Sequence, residues 1–297
     1  MKFEVALYKA RSVNRTVQAG MMPNLESFDP DEMLLLLGSG VVCVFGFMHW
    51  ARRLQSVSNL GCHPFHRTPL YAALLTGFLV LAWVVWRWAD QQIRDNTGYM
   101  LLVFLMGGAF LTIVAGVLPW LGISLREDAF ERRNFAAVLV LSGAVLGVLI
   151  TYSASNAGEG PSFWNNVFST VLSTGTLLLL WLIVAAAGDA AASITEERDT
   201  SSGLRLGAFL AAEGLILGRA VAGNWESAEA TTRDFLRDSW AGLALCMAAV
   251  LVERTLRPTQ DNPRPSAVTH GLVPGIAYLL VALLWVIHLG WWEGAAR

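Results

Sequence analysis

Residues 134–157 read NFAAVLVLSGAVLGVLITYSASNA, and residues 199–223 read DTSSGLRLGAFLAAEGLILGRAVAG. Each opens on a short polar side chain, Asn134 or Asp199; the first continues without charge and the second with Arg205, Glu213 and Arg219 as its charged residues. About 20 such residues, rising 1.5 Å each, cross a hydrocarbon core of about 30 Å. The openings lie 65 residues apart, and the same shift places Arg133 on Arg198 and Leu141 on Leu206. Asn134 and Asp199 suit helix N-caps, because a short side-chain oxygen accepts a bond from the first free backbone N–H groups.

Working outward, the chain holds eight apolar stretches: 33–50, 70–88, 99–121, 135–157, 167–188, 201–223, 236–256 and 271–292. The even-numbered ones begin near Pro69, Asn134, Thr200 and Thr269, again at intervals of roughly 65 residues. A recurring period of this kind marks a tandem unit. Backbone in lipid must satisfy its own hydrogen bonds, which leaves helices or a closed barrel. A barrel needs short alternating segments, and long Leu/Val/Ala runs contradict that. The expected fold is an all-α polytopic membrane bundle of about eight transmembrane helices in four tandem two-helix units. Residues 1–32 read as an extramembrane leader, 33–98 as a diverged first helix pair, 99–292 as the tandem pairs, and 293–297 as a short tail.

Composition agrees. Apolar residues make up 55% of the chain and charged residues 15%, against about 25% charged in soluble domains. A net charge of −2 offers nucleic acid no basic surface. Cys43 and Cys246 fall inside apolar stretches and Cys62 in a loop, which is no disulfide framework. The leader has no secretory cleavage pattern, and Met21 or Met22 is an alternative start that would remove a basic segment holding Lys2, Lys9, Arg11 and Arg15.

Basic residues orient the bundle. Loops after odd stretches hold Arg52, Arg53 and Arg67, then Arg126, Arg132 and Arg133, then Arg198, then Arg254, Arg257 and Arg264. Loops after even stretches hold Arg94, none, and Arg233. The basic loops belong in the cytoplasm, which puts both termini outside. A cysteine at Gly160 should then react with an impermeant reagent from outside, and one at Asn262 should not.

Glycine supplies the packing face. Gly143 and Gly147 lie in the fourth stretch, and Gly203, Gly207, Gly214 and Gly218 in the sixth. At 100° per residue the last four fall within about 60° of arc. Such a stripe lets a second backbone approach closely where lipid removes the hydrophobic drive for association. Leu210 and Leu217 lie off the stripe, and if their faces meet lipid, truncating them should be mild.

The sixth stretch also carries Arg205, Glu213 and Arg219, a candidate intramembrane polar site. A charge in a spanning helix costs about 3 kcal/mol or more. Arg205 and Arg219 lie roughly 10 Å from the middle and can snorkel to the headgroups. Glu213 is near the centre on a short stem and needs a partner, a proton or a wet cavity. Cys62, His63 and His66, with His49 nearby, are metal-ligand types, but three in a loop fall short of a tetrahedral set, so no metal is expected. No phosphate loop, His-Glu-x-x-His or nucleophile elbow is present, so neither an enzyme nor a cofactor is expected.

These features resemble the Domain of Unknown Function 350 family of bacterial inner-membrane proteins. Its unit is a two-helix hairpin, often in tandem, with a polar Asn/Asp-x-small-small entry and a Gly-rich second helix. The matching residues are Asn134-Phe135-Ala136-Ala137 with Leu141-Ser142-Gly143-Ala144-Val145-Leu146-Gly147, and Asp199-Thr200-Ser201-Ser202 with Leu206-Gly207. The resemblance covers roughly residues 99–292. The first helix pair fits only by period, and the last departs, reading Thr269-His270-Gly271-Leu272 with Pro274 just inside the helix. It implies a multipass protein of the bacterial inner membrane and carries no activity with it. The function expected is a non-enzymatic envelope scaffold or sensor whose partners are membrane lipid and a protein partner or a second copy. The alternative is a channel or proton-coupled transporter using Glu213.

Overall fold

The computed structural model describes residues 28–58, 67–160, 163–260, 262 and 265–290. All eight apolar stretches form helices: α1 (Pro30–Ser58), α2 (Thr68–Trp88), α4 (Thr97–Val117), α5 (Phe135–Ser155), α6 (Phe163–Ala187), α8 (Thr200–Val221), α10 (Trp240–Leu256) and α11 (Val273–Leu289). Shorter helices α3 (Gln91–Asp95), α7 (Ala190–Thr195) and α9 (Ala228–Asp238) connect them, and π-helical turns occupy Leu125–Glu131 and Ala267–Leu272. Among the described residues there is no β-strand, only an isolated bridge between Ala89 and Gly158. The fold is an all-α helical bundle.

Six helices are long and apolar enough to cross a membrane, and a seventh span results if the pair α9–α10, bent by 44°, counts as one. The helix left out is α8, which carries Arg205, Glu213 and Arg219. Its position explains how it tolerates them. α5, α6, α9, α10 and α11 all pack against it. Leu210 and Leu217 are fully buried. Their faces therefore do not meet lipid: the glycine stripe is one face of a helix packed by five others, with Leu204, Ala208, Leu215 and Arg219 part-exposed on one side.

The tightest packing runs between second helices of successive pairs and not within a pair. α2, α5, α8 and α11 form a parallel row, while α1 packs chiefly along α4. Glycine sets the spacing. A Cβ on Gly207 would lie 2.6 Å from the Leu139 carbonyl oxygen, one on Gly203 2.7 Å from that of Ala136, and one on Gly214 2.6 Å from the Gly147 Cα. From the other side, Cβ atoms on Gly143 and Gly147 would collide with the carbonyl oxygens of Gly207 and Leu210. Gly218 is looser, with the Ala154 Cβ at 3.1 Å. Gly275 brings α11 onto α8 in the same manner, 3.0 Å from the Ala208 Cβ.

Positions 65 apart share geometry at both ends of α5 and α8. Arg133 (φ 53°) and Arg198 (φ 57°) turn the chain through the left-handed region just before each helix. Asn134 then caps Ala136 and Ala137 through Oδ1, and Asp199 caps Ser201 and Ser202. The turns close alike, with Asn134 N donating to the Asp128 carbonyl at 3.1 Å and Asp199 N to that of Ser193 at 2.9 Å. At the far ends Gly158 N donates to the Trp88 carbonyl at 2.9 Å, and Gly223 N to that of Ala157 at 3.0 Å. Asn156, at the end of α5, is buried and bonded to the Tyr152 carbonyl and to Asn166.

Candidate functional site

Arg205 sits on the second turn of α8 and Glu253 on the last turn of α10. Both are buried, at 0% and 1% exposure. Arg205 Nε donates to Glu253 Oε1 at 2.8 Å and Nη2 to Oε2 at 2.6 Å, a bidentate charge-assisted pair. The remaining donor capacity is used as well: Nη2 also donates to Ser202 Oγ at 2.9 Å, and Nη1 donates to the His270 carbonyl. Arg205 therefore ties α8 to α10 and to the turn before α11. It does not snorkel. A paired charge avoids the desolvation penalty that would otherwise drive the side chain outward.

Arg219, at the other end of α8, does reach an end of the bundle. Its Nε donates to the Gly290 carbonyl at 2.8 Å and Nη2 to that of Leu289 at 3.3 Å. Those groups close the C-terminus of α11, where carbonyls lack helical partners and the dipole favours a cation.

Glu213 is placed apart from both arginines. Eight residues from Arg205 and six from Arg219, it is separated from them along the axis by about 12 Å and 9 Å. It is 0% exposed, and neither Oε1 nor Oε2 has a hydrogen-bond partner. Gly242 of α10 makes room for it: a Cβ there would lie 2.5 Å from Oε2. Cys246, one turn along α10, points its thiol at the Leu180 carbonyl, 3.8 Å away. Thr170 Oγ1, Trp181 Nε1 and Tyr278 Oη are further buried polar atoms without a partner. Tyr278 stands edge-on to Phe209 of α8, with ring centroids 6.3 Å apart. An unpartnered carboxyl in such surroundings is tolerable as the neutral acid and very costly as the anion.

The three charges of the sixth stretch thus do separate things: Arg205 is locked, Arg219 caps a helix, and Glu213 is the one left without a bond. The sequence reading overlooked Glu253. Its signal is present in the sequence, an acid directly after the uncharged run 239–252 and opposite in sign to Arg205. Among the described residues no group of three His, Cys, Asp or Glu is placed to hold a metal ion, while Cys62, His63 and His66 lie outside them. Comparisons with family models, curated proteins and solved structures find no match to this chain.

Proposed function

We propose that the chain is a multipass protein of the bacterial inner membrane that works without catalysis, as a scaffold or sensor in the envelope. The observation that carries this reading is the enclosure of α8. A helix with three charged residues is packed by five others, its backbone abuts that of α5 through glycine, and its Arg205 is bonded across to α10. That is the construction of a rigid core. The shared geometry of positions 65 apart supports a tandem-unit architecture, and the resemblance to the Domain of Unknown Function 350 family supports the inner membrane. Purification of the tagged protein from its native membrane in gentle detergent should recover a stoichiometric protein partner. Recovery of the chain with only itself and lipid overturns the scaffold reading.

Glu213 favours a second reading, a proton-coupled transporter. A carboxyl without any bond at the middle of an enclosed helix is free to take and release a proton when α8 and α10 part. Units of two helices keep all copies parallel, which departs from the inverted repeats of many carriers. Proteoliposomes with the wild type and with Glu213→Gln decide it: a proton flux lost in the variant supports transport, and equal or absent flux rejects it.

A further inference from the structure

A cavity of about 410 Å³ opens on the flank of the bundle between α1 and α2, floored by α4 and α5. Volumes of about 300–1,000 Å³ are typical of sites for small molecules. Its floor is apolar, with Leu111, Leu141 and Val148 buried beneath it, while Phe47 and Tyr71 on its two rims are 44% and 50% exposed. In a membrane such a side opening faces acyl chains. The charged residue of its lining is Arg67, which stands directly before the first residue of α2 and so at the edge of the apolar span.

Among the described residues no acid pairs with Arg67. Its guanidinium carbon lies 5.1 Å from the centre of the Phe130 ring, and its Nε and Nη2 atoms are buried without a hydrogen-bond partner. The acids flanking Phe130 are already engaged, Asp128 with Arg132 at 3.2 Å and Glu131 with Arg126 at 2.5 Å. A guanidinium with two open donors in its fork matches the oxygens of a phosphate. It lies at headgroup depth, with a hydrocarbon-lined groove leading from it along the helices.

We infer that this groove is a binding site for one anionic phospholipid, its phosphate on Arg67 and an acyl chain between α1 and α2. The inference needs only that the bundle sits in a membrane, and it is independent of the scaffold and transport readings. Arg67 sets the preference for the anionic headgroup, and the apolar floor sets the affinity for a chain.

The test uses the purified full chain in detergent, titrated with phosphatidylglycerol or phosphatidylcholine and followed by native mass spectrometry and thermal shift. The wild type should retain one phosphatidylglycerol with a preference of about tenfold over phosphatidylcholine, because both place a phosphate on Arg67 but the choline cation of the latter offsets its charge there. Arg67→Gln should bind both lipids equally, Arg67→Lys should keep part of the preference, and Ala115→Phe, which fills the floor, should weaken both. Equal binding of the two lipids by the wild type overturns the inference without recourse to any variant. Displacement of the lipid by inorganic phosphate alone also overturns it, since the site would then hold a free anion.

Discussion

Gly143 and Gly207 face one another so closely that the carbonyl of Gly207 occupies the space a Cβ on Gly143 would need. The obstacle is backbone on a neighbouring helix, which has no rotamer by which to yield. Gly143→Ala should therefore lower the melting temperature of the purified protein, by an amount corresponding to about 1–3 kcal/mol, the usual range for overpacking. Gly175→Ala on α6 is the control. A Cβ there meets nothing within 4 Å, and replacing a helical glycine by alanine gains up to about 1 kcal/mol. Equal effects at the two positions would show that α5 and α8 do not depend on contact between their backbones.

The Arg205–Glu253 pair should behave as a buried unit. Arg205→Met alone leaves an acid buried opposite an apolar chain, and Glu253→Leu alone leaves a buried guanidinium. Each should cost about 3–5 kcal/mol, while the double variant should recover most of the loss. A double-mutant cycle read by thermal unfolding in detergent tests this. Additive losses would mean that the two side chains stabilise the bundle separately.

How much of this was readable beforehand follows from the kind of signal each residue carries. The eight helices and the caps at Asn134 and Asp199 were legible because apolar run length and capping are local properties of the chain. The glycine stripe on the sixth stretch was legible from its periodicity. Which surfaces met it was not, because neighbours in a bundle are set by packing between segments distant in sequence. So the sequence leaves open whether Leu210 and Leu217 meet lipid, while the fold buries them, and it lets Arg205 snorkel, while the fold pairs it with Glu253, 48 residues away. Arg67 was counted only as a loop charge; what distinguishes it, the open groove and the bonded acids around Phe130, exists only in the folded chain.

Glu213 makes no hydrogen bond, so its removal should not harm the fold. Glu213→Leu takes an unpartnered carboxyl out of an apolar setting and should raise stability, by about 1–3 kcal/mol if the leucine fits the room left by Gly242. Glu213→Gln is a closer match in size but keeps polar atoms and should change little. The measurement is the melting temperature of the three proteins at one pH. A large loss in both variants would show that Glu213 has a structural partner and would remove the ground for giving it a proton-transfer role.

The orientation of the bundle can be tested with single cysteines. The row of second helices has one end carrying Arg67, Arg132, Arg133, Arg198 and Arg257, and an opposite end near Trp88, Gly158, Gly223 and Gly290. From the excess of arginine the first end is expected to face the cytoplasm. Gly160 is a poor reporter for the other end, because a Cβ there would lie 2.7 Å from Asn165 Nδ2. Glu159, exposed in the same loop, avoids that crowding. Asn262 serves for the arginine-rich end: it is exposed, and its backbone pairs with Thr259 in a turn. With Cys43, Cys62 and Cys246 replaced by alanine, Glu159→Cys should react in intact cells with a membrane-impermeant maleimide, and Asn262→Cys only after permeabilisation. The reverse pattern would invert the bundle, moving Arg67 and its groove to the outer leaflet. It would also show that residues outside these loops dominate insertion.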